Sequence, residues 1–195
     1  MLNVLRLSTS AMFAILAASV PAIAQTTPPA TAAAPRIPTV VLSKQHAAHC
    51  VVKLGAAFPA LELTSVTGAA QSLPELYGKP VSVVFFWHGN GWMTRAALRD
   101  LGPDIAEPYR KQGVEVVTIA VNQPADITQS TLDQSESKLT TLLDPEGQAF
   151  AQIGSEKLPR VYVLDVAGKI VWFDLEYSHS TRRELKQAVE VLVGQ

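Results

Sequence analysis

The chain has 195 residues, 48% of them hydrophobic and 17% charged, with a formal net charge of -1. That length suits one domain built on a single hydrophobic core, and the near-neutral charge excludes the basic footprint of a nucleic-acid binder. One cysteine, Cys50, excludes an internal disulfide, so the core must hold the fold unaided.

The first 24 residues, MLNVLRLSTSAMFAILAASVPAIA, combine a positive charge at Arg6, an apolar run from Ala11 to Val20 and small residues at Ala22 and Ala24. That is the pattern of a secretory signal cleaved before Gln25. An uncleaved membrane anchor needs about 20 apolar residues, and this run is shorter and broken by Pro21. The mature chain is therefore expected to be periplasmic or secreted, with no membrane span after cleavage. Residues 25–38, QTTPPATAAAPRIP, carry hardly any large side chains and cannot offset their own ordering entropy. They read as a flexible leader to a domain spanning 39–195.

Within that domain, Leu61 to Thr64 alternate as a short strand, followed by a turn at Thr67 and Gly68 and a helical turn before Gly78. PVSVVFFW, Pro80 to Trp87, is a nearly continuous apolar run of strand length, suited to a strand buried on both faces. From Thr94 to Gly113, Leu98, Leu101, Ile105 and Tyr109 recur at helical spacing, with a bend expected at Gly102 and Pro103 and a stop at Gly113. Val114 to Val121 is a second buried strand, and strand, helix, strand of this length implies a right-handed parallel crossover. Residues 122–141 read as a short helix and loops, and LLDPEGQAFAQIG as a brief apolar stretch, a turn and a short helix ending at Gly154. LPRVYVLDVAGKIVWFDL is an antiparallel hairpin turning at Ala167 and Gly168. In the last helix, Thr181 and Glu184 have capping-box spacing. The order predicts an α/β domain with a central mixed sheet and helices on both faces.

Four segments in this order resemble the thioredoxin-like superfamily, in its redoxin branch of peroxiredoxin-type (AhpC/TSA-like) and exported thiol-disulfide proteins. They are KLGAAFPALELTSVTGAAQSL, GKPVSVVFFW, LLDPEGQAFAQIG and LPRVYVLDVAGKIV. The resemblance implies a thioredoxin-like fold, a cis peptide bond at Leu158-Pro159, and thiol-disulfide or peroxidase activity. The chain departs from the family at the motif that carries this activity. When F-x-x-x-x-C-x-x-C-R is laid over FWHGNGWMTR, Phe86 and Arg95 match, but Gly91 and Thr94 replace the two cysteines. Disulfide exchange needs a thiolate, commonly stabilised at a helix N-terminus, and neither replacement supplies one.

The remaining candidates have competing readings. Thr94 is either a nucleophile with His88 as base or an N-cap. Trp87, His88, Trp92, Thr94 and Pro159 together form a candidate groove for an extended protein segment or a small ligand, over the sheet edge where open α/β folds bind ligands. HAAHC places His46, His49 and Cys50 close together as candidate metal ligands, with His88 as a fourth, although the spacing matches no common closed zinc site. Cys50 is either a redox thiol or a small buried hydrophobe. The sequence calls for no cofactor. The leading expectation is a non-catalytic binding protein using the groove near Pro159; the alternatives are an oxidoreductase working through Cys50 alone and a metal-binding protein.

Overall fold

The computed structural model describes residues 34–89 and 91–194. The expected signal segment and the first part of the leader lie outside those residues. The packed body begins slightly before residue 39: Ile37 packs against the core and the Arg36 carbonyl accepts a hydrogen bond from Gln187 Nε2 at 2.8 Å.

In chain order, a short helix α1 (Lys44–Ala48) precedes the hairpin of β1 (Glu62–Ser65) and β2 (Ala70–Ser72). Strand β3 (Ser82–Trp87) is buried at every position. Helix α2 (Trp92–Leu101) runs through a wider turn at Gly102–Ala106 into α3 (Glu107–Tyr109), the bend coinciding with Pro103. The chain then reverses at Gly113, which adopts a left-handed φ of 82°. A Cβ on Gly113 would lie 2.0 Å from the Lys79 carbonyl oxygen, so glycine is required there on two counts. Next come β4 (Glu115–Val121), α4 (Ala125–Gln134), β5 (Thr140–Asp144), α5 (Gln148–Ala151), β6 (Arg160–Leu164), β7 (Ile170–Asp174) and α6 (His179–Val193).

The strands form one seven-stranded sheet in the order β2-β1-β5-β4-β3-β6-β7. β3, β4 and β5 are parallel, while β1, β6 and β7 pair antiparallel to their neighbours. Strand β3 divides its side chains between two cores. Val83, Phe85 and Trp87 face Leu98 and Leu101 of α2 and Leu185 and Val189 of α6. Val84 and Phe86 face Phe58, Phe150 of α5, Tyr162 and Phe173. This is the expected α/β architecture, a mixed sheet with helices on both faces, and the Leu158-Pro159 bond is cis.

Several details differ from the sequence reading. β5 is a full third parallel strand, disguised by two threonines; Thr141 is buried and its hydroxyl meets that of Thr118 on β4 at 2.8 Å. Helix α2 starts two residues early, with Gly91 at its cap. Helix α6 is capped by Ser178, whose Oγ accepts from Thr181 N at 3.2 Å, so the Thr181–Glu184 capping box is not formed. A second cis bond, Lys79-Pro80, precedes β3.

Thr181 is occupied elsewhere. Its hydroxyl donates to Asp174 Oδ2 at 2.7 Å, while Leu175 N donates to Asp174 Oδ1 at 2.8 Å, pinning the start of α6 to the end of β7. Burial pushes the Asp174 carboxyl above its ordinary range against these two hydrogen bonds, and nearby Glu176 and Glu184 push the same way. An aspartate with a raised folded-state pKa contributes stability in its protonated form, present at low pH and lost as pH rises through the raised value. The Asp174→Asn variant is therefore expected to melt no lower than the natural protein at pH 7, its advantage shrinking as the pH falls towards 4. Thermal melts followed by circular dichroism at the two pH values check this.

Candidate functional site

The site grows out of the carboxyl ends of β3 and β4. Trp87, the last residue of β3, is fully buried and donates its Nε1–H to Thr118 Oγ1 at 3.2 Å. It belongs to the core and lines no groove, because strand alternation turns it inward with Val83 and Phe85. His88 turns outward, and its Nδ1–H donates to the Val121 carbonyl at 2.7 Å, which leaves Nε2 as the free ring nitrogen of the neutral form. Gly89 follows with φ 61°, its N–H donating to the buried Gln123 side chain at 2.7 Å.

Gly91 caps α2 with extended backbone and no side chain to accept from the first turn. A Cβ placed there meets nothing within 4 Å. Thr94 sits three residues inside, 2% exposed, and its hydroxyl donates weakly to the His88 carbonyl at 3.4 Å. It is therefore neither the N-cap nor a partner of the His88 imidazole, whose Nδ1 is engaged with Val121. Trp92 stands on the first turn at 67% exposure, an apolar side chain offered to solvent.

Beside this loop lies a cleft of about 600 Å³ with mainly apolar walls, bordered by His88, Asn122, Phe150, Gly154, Glu156 and Leu158. Leu158 brings the wall to the cis bond with Pro159, itself buried. Among the described residues three non-glycine residues have positive φ, and two of them, Asn122 at 52° and Glu156 at 50°, border this cleft. Left-handed backbone at such residues costs about 1–3 kcal/mol and concentrates at functional sites. Of the sequence-derived groove residues, His88 and the Leu158-Pro159 bond meet at the cleft, whereas Trp92 and Thr94 do not line it. Asn122, Phe150, Gly154 and Glu156 were not anticipated; the glycine ending LLDPEGQAFAQIG was the available signal.

Behind Gly154 lies Arg160, a fully buried cation. No carboxylate pairs with it among the described residues. Its guanidinium donates instead to the carbonyls of Lys157 at 2.8 Å, His49 at 2.8 Å and Ser155 at 2.6 Å, and it lies over the Phe150 ring at 5.1 Å. Carbonyl dipoles and a ring face together compensate a desolvated guanidinium in the absence of a counter-charge.

This arrangement fixes the HAAHC segment. Cys50 Sγ donates to the His46 carbonyl at 3.5 Å. Burial raises the Cys50 thiol pKa, and the adjacent Arg160 charge offsets part of that shift. His49 Nδ1 meets Ser155 Oγ at 3.3 Å and its Nε2 lies 3.7 Å from the Glu156 carboxylate, while His46 borders a different cavity. His46, His49, Cys50 and His88 therefore do not converge. Among the described residues no group of three or more His, Cys, Asp or Glu side chains is placed to hold a metal ion.

Residues 54–173, more than half of the chain, match the AhpC/TSA family model. The chain belongs to the AhpC/TSA family. Its fold is shared with thiol-disulfide proteins of the thioredoxin-like class. One, from Bacteroides thetaiotaomicron and described as a protein disulfide isomerase, aligns at TM-score 0.69 and 19% identity over 75% of this chain and 94% of that chain. Another, from Chlorobium tepidum and described as the thiol:disulfide interchange protein DsbE, aligns at 0.67 and 21% over 73% and 99%. A secreted disulfide oxidoreductase of Mycobacterium tuberculosis, homologous to the E. coli DsbE, aligns at 0.57 and 20% over 68% and 96%. No curated protein matches in a search by sequence.

The helix start at Gly91 has no side-chain cap and holds no sulfur, although a helix N-terminus is an environment that favours a thiolate. Cys50, the remaining thiol, sits in an environment that disfavours the thiolate. It is expected to react with iodoacetamide at pH 7 more slowly in the folded protein than after denaturation, as mass spectrometry over time would show. The Gly154 position is equally constrained: a Cβ there would lie 2.1 Å from Arg160 Nη1 and 2.5 Å from the His49 carbonyl oxygen. With the guanidinium held by three carbonyls, Gly154→Ala is expected to cost about 1–3 kcal/mol, the usual range for overpacking. Urea denaturation measures it.

Proposed function

We propose that this protein is an exported, non-catalytic member of the AhpC/TSA family that holds an extended protein segment in the cleft beside Pro159. The observation that carries the reading is an apolar cleft of about 600 Å³ at the cis bond, beside a helix start where Gly91 and Thr94 stand at the positions the sequence resemblance gives to the two cysteines. Two residues of strained backbone on the cleft rim, Asn122 and Glu156, support a role for its shape.

Supply of apolar area favours a protein segment over a small polar ligand. Phe150, Ala151 and Leu158 form the walls, and the exposed Trp92 stands on the helix that begins beside the same loop. Large aromatic side chains on a surface are the usual anchors of protein recognition. His88 Nε2 adds one directional acceptor at the rim. Export is supported by the pattern of the first 24 residues and by the secreted character of the Mycobacterium tuberculosis structure. No helix among the described residues is long and apolar enough to cross a membrane.

Reduced, carboxymethylated lysozyme, an unfolded chain without free thiols, tests the reading. The natural protein is expected to bind it in isothermal titration calorimetry, and Leu158→Glu to weaken binding roughly tenfold by placing a charge in the apolar wall. Insulin disulfide reduction should be absent in both. Binding indifferent to Leu158→Glu would reject the cleft, and reduction that disappears in Cys50→Ala would replace this reading with a single-cysteine oxidoreductase.

A further inference from the structure

The segments that Arg160 gathers at the cleft bring together three side chains of another chemistry. The hydroxyl of Ser155 meets His49 Nδ1 at 3.3 Å, and His49 Nε2 lies 3.7 Å from the Glu156 carboxylate. A proton on Nε2 faces that anion, and this tautomer leaves Nδ1 as the acceptor for the Ser155 hydroxyl. Hydroxyl, imidazole and carboxylate thus stand in the order that a serine nucleophile, its base and the group orienting the base require. Ser155 and Glu156 both border the cleft. Ser155 is exposed and the His49 side chain only 23% so, which opens the hydroxyl to a ligand and partly shields the imidazole.

The backbone holds this pair in place. One nitrogen of Arg160, Nη2, donates to the carbonyls of both His49 and Ser155, at 2.8 Å and 2.6 Å, and Ser155 N–H donates to the same His49 carbonyl at 3.0 Å. The adjacent residues Cys50 and Gly154 form an antiparallel bridge. Two residues 106 positions apart are thereby locked where their side chains meet. A nucleophile and base fixed through their backbones need little reordering when a substrate arrives. Directly after Ser155 the chain takes a left-handed φ of 50° at Glu156, and the N–H groups of Glu156 and Lys157 donate to no backbone carbonyl among the described residues. The N–H that follows a nucleophilic serine is a usual donor to the oxyanion of acyl transfer.

The cleft selects the substrate. Its walls of Phe150, Ala151 and Leu158 suit an apolar acyl chain, and Glu156 at its rim disfavours an anionic one. We propose that Ser155 and His49 are the catalytic pair of an esterase site on the cleft rim, with Glu156 positioning the imidazole, acting on neutral carboxylic esters that carry an apolar acyl group. Ser155 Oγ forms a bond to the acyl carbon as its proton passes to His49 Nδ1; the ester C–O bond breaks and the alcohol leaves with that proton. Water then attacks the acyl-serine with the same base, releasing the carboxylic acid and restoring the hydroxyl. No thiol takes part, so this acyl chemistry is separate from the thiol catalysis that the chain lacks. It goes beyond the binding role proposed for the cleft, and a small ester probes it without any protein segment, so either can fail without the other.

The full-length protein is assayed with p-nitrophenyl butyrate. Saturable hydrolysis is expected, with kcat about a hundredfold lower in Ser155→Ala and in His49→Gln. Glu156→Gln is expected to lower kcat and leave KM unchanged. A fluorophosphonate, which phosphonylates activated serines, should modify the natural protein at Ser155, as peptide mass spectrometry would locate, and should spare His49→Gln. Circular dichroism checks that the variants fold, and because the label on the natural protein needs no variant, it keeps the proposal testable if one of them does not. Turnover retained in Ser155→Ala, an unlabelled Ser155 in the natural protein, or a kcat unchanged in Glu156→Gln would each overturn the proposal.

Discussion

The buried guanidinium of Arg160 is the constraint on which the cleft end of the molecule depends. An arginine removed from water without a carboxylate partner must find several well-oriented dipoles, and here it draws three carbonyls from two separate stretches of chain. Lys157 and Ser155 belong to the loop before the cis bond, and His49 to the segment after α1. Their carbonyls are thereby held against the sheet, which shapes one wall of the cleft and sets the position of Cys50. Gly154 is obligatory in the same arrangement because the guanidinium occupies the space a side chain would need.

The frame around the helix start of α2 is kept by interactions that never involved sulfur. Gln123 ties the loop at Gly89, and His88 is held on the Val121 carbonyl. Thr94 is buried against the turn beneath. The packing of β3, β4 and α2 rests on apolar contacts of Phe85, Trp87, Leu98 and Leu101, none of which involves a sulfur.

Cys50 shows how an isolated thiol is governed by its surroundings. Nearby positive charge lowers a thiol pKa and burial raises it. In this chain burial outweighs Arg160, whose charge is already shared among carbonyl dipoles. The cleft by Pro159 is apolar with one imidazole at its rim.

The sequence by itself determined much of the frame: the doubly buried PVSVVFFW strand, the Gly113 stop and the hairpin turning at Gly168 follow from local pattern and turn chemistry, and the cis bond at Pro159 from the resemblance to the redoxin family. These features are legible because each depends on residues close together in the chain. It misread Thr140 and Thr141 as loop, since the strand they form is completed by pairing with β4, where the Thr118 hydroxyl meets that of Thr141. It placed Trp87 in the groove, where the structure turns it into the core, and put Thr94 and Thr181 at helix caps that Gly91 and Ser178, three residues earlier, occupy. Only the tertiary structure brought His88, Phe150 and Leu158 to one cleft, parted His46 from His49, and surrounded Arg160 with carbonyls drawn from up to 111 positions away. The physical reason is common to all three: a desolvated charge or an apolar wall is completed by groups distant in sequence, and no local pattern records which distant groups will meet.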